Sequence, residues 1–354
     1  MDFEFTTDQL ELRDNARSVL SSACPPALVR AVFEGDNSGV DGLWKTLVDL
    51  GWPAIGVDEA AGGLGLTFVE TGLVVEELAR VVAPSPFLAT VTQFLPFARC
   101  GASSLLERVA AGEITGALAV NGDVAVERDG DRWTLNGTAT HVADGATADY
   151  IAVVAGDGAF LLRGDEVAAT PLDTIDPTMP VANVRLDRVA LSQDRVLIAP
   201  GDSGDAVGRA MGEAITAMAL STVATCRRIF EMTLDYAKAR EQFGRPIGSF
   251  QALKHRFANM YLAVEKASAL AYFAALTIAE EDPRRTTAPS MAKASASDCQ
   301  RLVVTDGLQL HGGVGFTWEN DLHFWLKRAK TTDFMLGTGA AHRAYIARQT
   351  GLVS

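Results

Sequence analysis

Between residues 116 and 200 the chain stops reading as helix and starts reading as short strands. This switch limits its fold more than any other feature. Ala117-Leu118-Ala119-Val120, Val124-Ala125-Val126, Trp133-Thr134-Leu135, Tyr150-Ile151-Ala152-Val153-Val154 and Ala159-Phe160-Leu161-Leu162 are short apolar runs. Asn121-Gly122-Asp123, Asp129-Gly130-Asp131, Asn136-Gly137 and Gly156-Asp157-Gly158 punctuate them. Short runs at close spacing with Asn-Gly and Asp-Gly turns predict an antiparallel β domain.

On either side the apolar spacing is helical. Upstream, Thr6-Thr7-Asp8-Gln9 begins a helix with Leu10, Leu12 and Val19 among its apolar positions. Leu43 to Leu50 and Glu70 to Val82 give two more, the second stopped by Ala83-Pro84-Ser85-Pro86, and the stretch from Gly51 to Gly65 is a loop. Downstream, the spacing predicts helices over Ala206 to Arg240, Gln251 to Glu281, Thr286 to His311, Thr317 to Lys330 and Ala340 to Thr350. The expectation is an α+β multidomain chain: a helical domain at 1–115, a β domain at 116–200 and a four-helix-bundle-type domain at 201–354.

Composition excludes some partners. Hydrophobic residues make up 48% of the 354 and charged residues 21%, as in ordinary soluble globular proteins. A net charge of −13 argues against binding nucleic acid or an anionic membrane, although a local arginine cluster can still hold an anionic ligand. Cys24, Cys100, Cys226 and Cys299 are scattered without metal-ligand spacing, so no metal site is expected and a reduced setting is the natural reading. The start, Met-Asp-Phe-Glu-Phe, lacks the basic and apolar regions of a signal peptide. No apolar stretch suggests a membrane span, and a cytoplasmic location is expected.

Two motifs carry the chemistry. Residues 240–256 read Arg-Glu-Gln-Phe-Gly-Arg-Pro-Ile-Gly-Ser-Phe-Gln-Ala-Leu-Lys-His-Arg, gathering cations, amides and aromatics around a turn between helices. Gln309-Leu310-His311-Gly312-Gly313-Val314-Gly315-Phe316 puts an amide and an imidazole before a glycine turn. These groups suit a flat, doubly negative cofactor: arginine for pyrophosphate, amides for ribose or adenine, glycines for close backbone approach. The pair resembles the C-terminal half of the flavin-dependent acyl-CoA dehydrogenase family. Its pattern Arg-x-x-Phe-Gly-x-x-Ile-x-x-x-Gln falls on Arg240, Phe243, Gly244, Ile247 and Gln251, and Gln-x-x-Gly-Gly-x-Gly-Phe on Gln309, Gly312, Gly313, Gly315 and Phe316. A Glu-Gly-Thr turn leading to a late arginine has its counterpart in Leu336-Gly337-Thr338 and Arg343. The stretch Thr317-Trp318-Glu319-Asn320-Asp321-Leu322-His323 resembles the short actinobacterial-type subunits of the family, several of which act on CoA thioesters of steroid side chains.

The resemblance implies the order helical domain, β domain, helical bundle. It also implies FAD as cofactor, held by Arg240, Phe243, Phe250, Gln251, Gln309, His311, Gly312, Gly313 and Thr338, an acyl-CoA substrate, and an electron-transferring flavoprotein as acceptor. In the family a carboxylate removes the α proton while the flavin accepts hydride from the β carbon. In the common subgroup that carboxylate is the Glu of Glu-Gly-Thr, which here is Leu336. In a second subgroup it lies on the preceding bundle helix, at a place that falls on Ala214, next to Glu213. The family's flavin-ring stretch Thr-Glu-Pro-x-x-Gly-Ser-Asp is replaced by Ala119 to Val126, and its Trp-Ile-Thr by His141-Val142-Ala143.

In this family the flavin lies between subunits, and the half retained here serves the neighbour. The expectation is therefore no catalytic base of its own and a heterotetramer with a related subunit, two copies of each. Three alternatives stay open: a self-sufficient homomer using Glu213, a structural subunit without flavin contact, and an oxidase or nitroalkane-type enzyme on the same fold.

Overall fold

The structure, a computed structural model, describes residues 3–201 and 205–352, so the chain start at Met1-Asp2 lies outside the described residues. Helices α1 (Thr7–Ala23), α2 (Pro26–Phe33), α3 (Val40–Asp49), α4 (Phe68–Arg80), α5 (Leu95–Gly101) and α6 (Ser103–Ala110) come first. Strands β1 (Gly116–Ala119), β2 (Gly122–Asp129), β3 (Arg132–Ala143), β4 (Tyr150–Ala155), β5 (Gly158–Arg163), β6 (Ala168–Pro171), β7 (Val181–Leu191) and β8 (Val196–Ile198) follow. Helices α7 (Ala206–Ala239), α8 (Gln251–Ala279), α9 (Ala288–His311), α10 (Leu322–Phe334) and α11 (Gly339–Gln349) close the chain. The expected order of helical, β and helical regions is present. By compactness the chain divides into two units, one of residues 35–71 and 84–214 and the other of residues 1–34, 72–83 and 215–354.

The first unit holds the β region as two four-stranded sheets, ordered β1-β4-β5-β8 and β2-β3-β7-β6. Trp133, Leu135, Val184 and Leu186 of one sheet share a buried core with Ile151, Val153, Phe160 and Leu162 of the other. The Trp133 and Phe160 rings lie 5.4 Å apart between centroids. Side chains of alternate residues therefore seal the space between the sheets, as sandwich packing requires.

Two details depart from the sequence reading. The β1–β4 pair is parallel, because β2 and β3 leave for the other sheet before the chain returns. Asn136-Gly137 is not a hairpin turn but an irregularity inside β3, where the register with β7 shifts. A Cβ at Gly137 would sit 1.9 Å from the Asp123 carbonyl oxygen, so close backbone approach explains this glycine. The Asp129 to Asp131 and Gly156 to Gly158 turns do close hairpins, with Asp129 paired to Arg132 and Ala155 to Gly158.

In the second unit, α1 begins with the capping box that its sequence advertises. The Gln9 backbone N–H donates to Thr6 Oγ1 at 3.2 Å, and the Thr6 N–H donates to Gln9 Oε1 at 3.0 Å. Helix α8 buries Phe257, Met260, Val264, Ala267, Ala271, Ala274 and Ile278, a stripe at alternating spacings of three and four. Its length and hydropathy would also let it cross a bilayer, contrary to the expectation that no apolar stretch reaches that length. A bundle helix with small residues on its packed face passes the same test.

The helix expected from Thr317 starts only at Leu322. Arg30 of α2 donates to the Trp318 carbonyl at 3.0 Å and binds the Asp321 carboxylate, while Asn320 Oδ1 accepts from the Leu322 N–H at 3.0 Å. These contacts hold residues 317–321 as a turn.

Candidate functional site

The first motif forms a hairpin between α7 and α8. Glu241–Gln242 pairs antiparallel with Arg245–Pro246, leaving only Phe243 and Gly244 in the loop, at φ 54° and 76°. Two left-handed residues in succession make a type I′ turn, a place for Asn-Gly rather than an aromatic. Phe243 is nevertheless there, and its side chain is 92% exposed. A bulky residue held left-handed and projected into solvent is strained without internal compensation. Behind it, Phe250 meets Phe243 edge-on at 6.2 Å, and the Arg245 guanidinium lies 4.2 Å from the Phe250 ring centre.

The turn ends by feeding α8. The Ile247 N–H donates to the Arg240 carbonyl at 2.8 Å, closing the loop, and Phe250 is the helix N-cap without a side-chain capping bond. Gln251, the first helical residue, reaches His255 Nε2 at 3.2 Å with its amide nitrogen. The exposed Arg240 guanidinium has no partner among the described residues. An uncapped helix N-terminus and the cations Arg240 and Arg245 on one loop form an anion-favouring assembly.

The second motif closes α9. Gly312, at φ 61° and ψ −143°, has a backbone that only glycine adopts easily and ends the helix. Cβ atoms built at Gly312 and Gly313 would meet nothing within 4 Å. Gly313, which lacks a positive φ, is therefore required neither by its backbone nor by packing within this chain. Gln309 is exposed, with no partner for its amide among the described residues.

His311 behaves differently from its neighbours. It is 6% exposed, its Nδ1–H donates to the Gly307 carbonyl at 2.9 Å, and its ring stacks on Tyr236 at 4.5 Å. Burial pushes its pKa down, so the ring is held neutral. The side chain expected to touch the cofactor is a packing element here. Tyr236, one turn before Arg240, thereby ties the two motifs together, and the sequence reading missed it. Its carbonyl accepts from the Arg240 N–H at 2.8 Å. The signal for Tyr236 was only its helical spacing.

The third turn, Leu336-Gly337-Thr338, is closed upon itself. Leu336 keeps a left-handed backbone at φ 56° and is 6% exposed. Its carbonyl accepts from His342 Nε2–H at 3.0 Å, and His342 Nδ1 accepts from the Ser290 hydroxyl at 3.0 Å. Burial pushes the His342 pKa down, in keeping with a neutral ring whose two nitrogens have opposite roles. The Thr338 hydroxyl, expected at the cofactor, accepts from the Ala341 N–H at 3.3 Å and caps α11.

Lys293, fully buried, donates to the Thr332 and Asp333 carbonyls at 2.9 and 2.7 Å, finishing α10 just before the turn. Burial pushes its pKa down to about 8. Arg343 pairs with Asp298 at 2.5 Å.

Glu213 belongs to the other unit, where both its carboxylate oxygens accept from Arg99 Nη1, at 3.0 and 2.9 Å. Arg99 is fixed in turn by donating Nη2 to the Gly56 carbonyl at 2.8 Å. Ala214 beside it is fully buried. The segment His141 to Ala143 lies at a second irregularity of β3, with His141 exposed at φ 57° and Val142 and Ala143 buried.

Residues 6–116 match the model of the acyl-CoA dehydrogenase N-terminal domain, and residues 205–351 that of the acyl-CoA dehydrogenase C-terminal domain. The acyl-CoA dehydrogenase IpdE2 of Mycobacterium tuberculosis is 34% identical over 322 residues, covering 90% of this chain and 89% of that protein. Among solved structures, a chain of the ChsE4–ChsE5 complex from Mycobacterium tuberculosis superposes with a TM-score of 0.90 at 26% identity, covering 100% of both chains. A variant of the Tcur3481–Tcur3483 steroid ACAD gives a TM-score of 0.88 at 28% identity, covering 98% of this chain and 99% of that one.

Proposed function

The chain belongs to the acyl-CoA dehydrogenase family, and on that premise we propose that it is the subunit of a heteromeric, FAD-dependent enzyme that lends flavin contacts to a partner's active site. The reaction is α,β-desaturation of an acyl-CoA thioester, and the partner, a related subunit, supplies the base. The observation that carries this reading is Leu336. The turn keeps its left-handed backbone, yet the side chain where a carboxylate would stand is a buried aliphatic group with no atom able to take a proton. Against Glu213 as its replacement stands the ion pair in which both of its oxygens accept from Arg99. A self-sufficient homomer is therefore the weaker reading.

The residues that remain fit FAD. Arg240 and the uncapped start of α8 suit the pyrophosphate, Gln251 and Gln309 offer amides to ribose or adenine, and the open faces of Gly312 and Gly313 leave room for close approach. When bound, FAD supplies the acceptor for the hydride leaving the substrate. Phe243, strained and exposed, is the aromatic this chain offers across a subunit interface. The structural relatives that are a two-chain complex and a steroid ACAD support a heterotetramer acting on bulky acyl groups such as steroid side chains. An electron-transferring flavoprotein is the proposed acceptor.

The test is to purify the chain alone and together with a related subunit that carries the base. Desaturation of a steroid side-chain acyl-CoA is then followed with a dye acceptor. Turnover by the pair and none by the lone chain is expected. Full turnover by the lone chain with tightly held flavin contradicts the proposal.

A further inference from the structure

A separate cavity of about 330 Å³ lies within the second unit, walled by α1, α4, α7 and α10 and away from both motifs in sequence. Its charges do not balance. Arg17 is matched to Glu77, with Nε to Oε2 at 3.0 Å and Nη2 to Oε1 at 2.5 Å. Arg80 is matched to Glu231, with Nη1 to Oε1 at 2.8 Å and Nη2 to Oε2 at 2.6 Å. Arg228, the third cation on the wall, reaches only the already occupied Oε2 of Glu231, at 3.4 Å. That is beyond a good charge-assisted bond, so most of the fork of Arg228 is uncommitted.

Apart from Ser21, whose hydroxyl donates to the Ser18 carbonyl, the rest of the wall is uncharged and mostly apolar. The Arg228 guanidinium lies 5.8 Å from the Trp325 ring centre, and the indole is held by donating its N–H to the Arg80 carbonyl at 2.8 Å. Cys24 donates its thiol to the Val81 carbonyl at 3.8 Å, and burial pushes its pKa up to about 12. The thiol is therefore a neutral part of the wall and not a nucleophile.

From these residues we infer that the cavity is a binding site for a small amphipathic oxyanion, a carboxylate or phosphate monoester on a compact apolar body. The guanidinium fork of Arg228 takes the oxyanion, for which its planar donors are suited. The apolar body lies along Val81 and Trp325. A volume at the small end of the range for ligand sites, about 300–1,000 Å³, fits a single ring or short chain and not a dinucleotide. Nothing in this site depends on the flavin reading, since none of its residues belongs to the motifs.

Calorimetric titration of the assembled complex with benzoate, phenyl phosphate and inorganic phosphate tests the inference. Saturable binding of benzoate or phenyl phosphate is expected, with inorganic phosphate much weaker because it brings no apolar body. The tighter of the two aromatic probes identifies the oxyanion. Arg228→Ala weakens that probe roughly tenfold or more, as loss of a charged hydrogen bond does, and Arg228→Lys retains part of the affinity. Ser21→Phe, on the wall at α1, fills the space and abolishes binding while leaving acyl-CoA turnover unchanged. The inference is overturned if no probe saturates, if inorganic phosphate binds as well as the aromatic probes, or if a folded Ser21→Phe complex binds like the parent.

Discussion

The hairpin at Arg240 to Gln251 and the turn at Leu336 to Thr338 are both places where a non-glycine residue is held left-handed, Phe243 at φ 54° and Leu336 at φ 56°. They answer that strain in opposite ways. Leu336 is buried, its carbonyl is bound by His342, and the helix before it is finished by Lys293. Phe243 is 92% exposed, and beside it Arg240 has no partner among the described residues. One turn is satisfied within the chain, and the other leaves an aromatic ring and a guanidinium exposed. That contrast, an aliphatic turn closed within the chain beside an exposed turn carrying Phe243 and Arg240, is what the proposed role in a heteromer rests on.

The sharpest way to break this contrast is Leu336→Glu. If the turn is as closed as Leu336 suggests, burying a carboxylate there destabilises the lone chain by about 3 kcal/mol, read as a lower thermal midpoint. An unchanged midpoint means that the turn has room for a base after all. Next comes Arg240→Ala, for which the lone chain melts as before while flavin retention by the complex falls roughly 10- to 100-fold, the loss of a charge-assisted contact. Equilibrium dialysis against free FAD measures it.

Phe243→Asn separates strain from function. Asn-Gly is the preferred pair for this turn, so the lone chain gains about 1 kcal/mol. Association with the partner weakens by at least about 1 kcal/mol as the exposed aromatic is lost. Sedimentation of the mixed subunits and melting of the lone chain give the two numbers, and movement of both in the same direction contradicts the assignment. The smallest effect is acidic. His342 is held neutral, with a pKa below the unfolded value of about 6.5. Its contribution is fully present above that value and is lost as pH falls through the folded pKa, because the unfolded chain takes up the proton first. His342→Gln flattens this part of the profile of melting temperature against pH.

Much of this was legible in the residues. The strand runs between Ala117 and Leu162, the Thr6–Gln9 capping box and the glycine stop of α9 all declare themselves through local chemistry. Strands β6, β7 and β8 did not, since Val181–Leu191 alternates with charged residues and carries no turn signal of its own. Helix α2 was hidden in an eight-residue segment too short for periodicity, and the late start of α10 depends on Arg30, nearly three hundred residues away in sequence. Within the candidate site, motif spacing placed Arg240, Phe243, Gln251 and the glycines on two exposed turns at helix ends. It did not show that His311 is buried against Tyr236, or that the exposed Thr338 hydroxyl also caps α11. The packing of His311 on Tyr236 joins residues 75 apart in sequence, which no local pattern encodes.

Flavin stoichiometry in the co-purified complex tests the central claim most directly. The account predicts one flavin for each pair of unlike subunits, lost when Arg240 of this chain is replaced although the partner is intact. One flavin for every chain, or flavin content indifferent to Arg240→Ala, contradicts it.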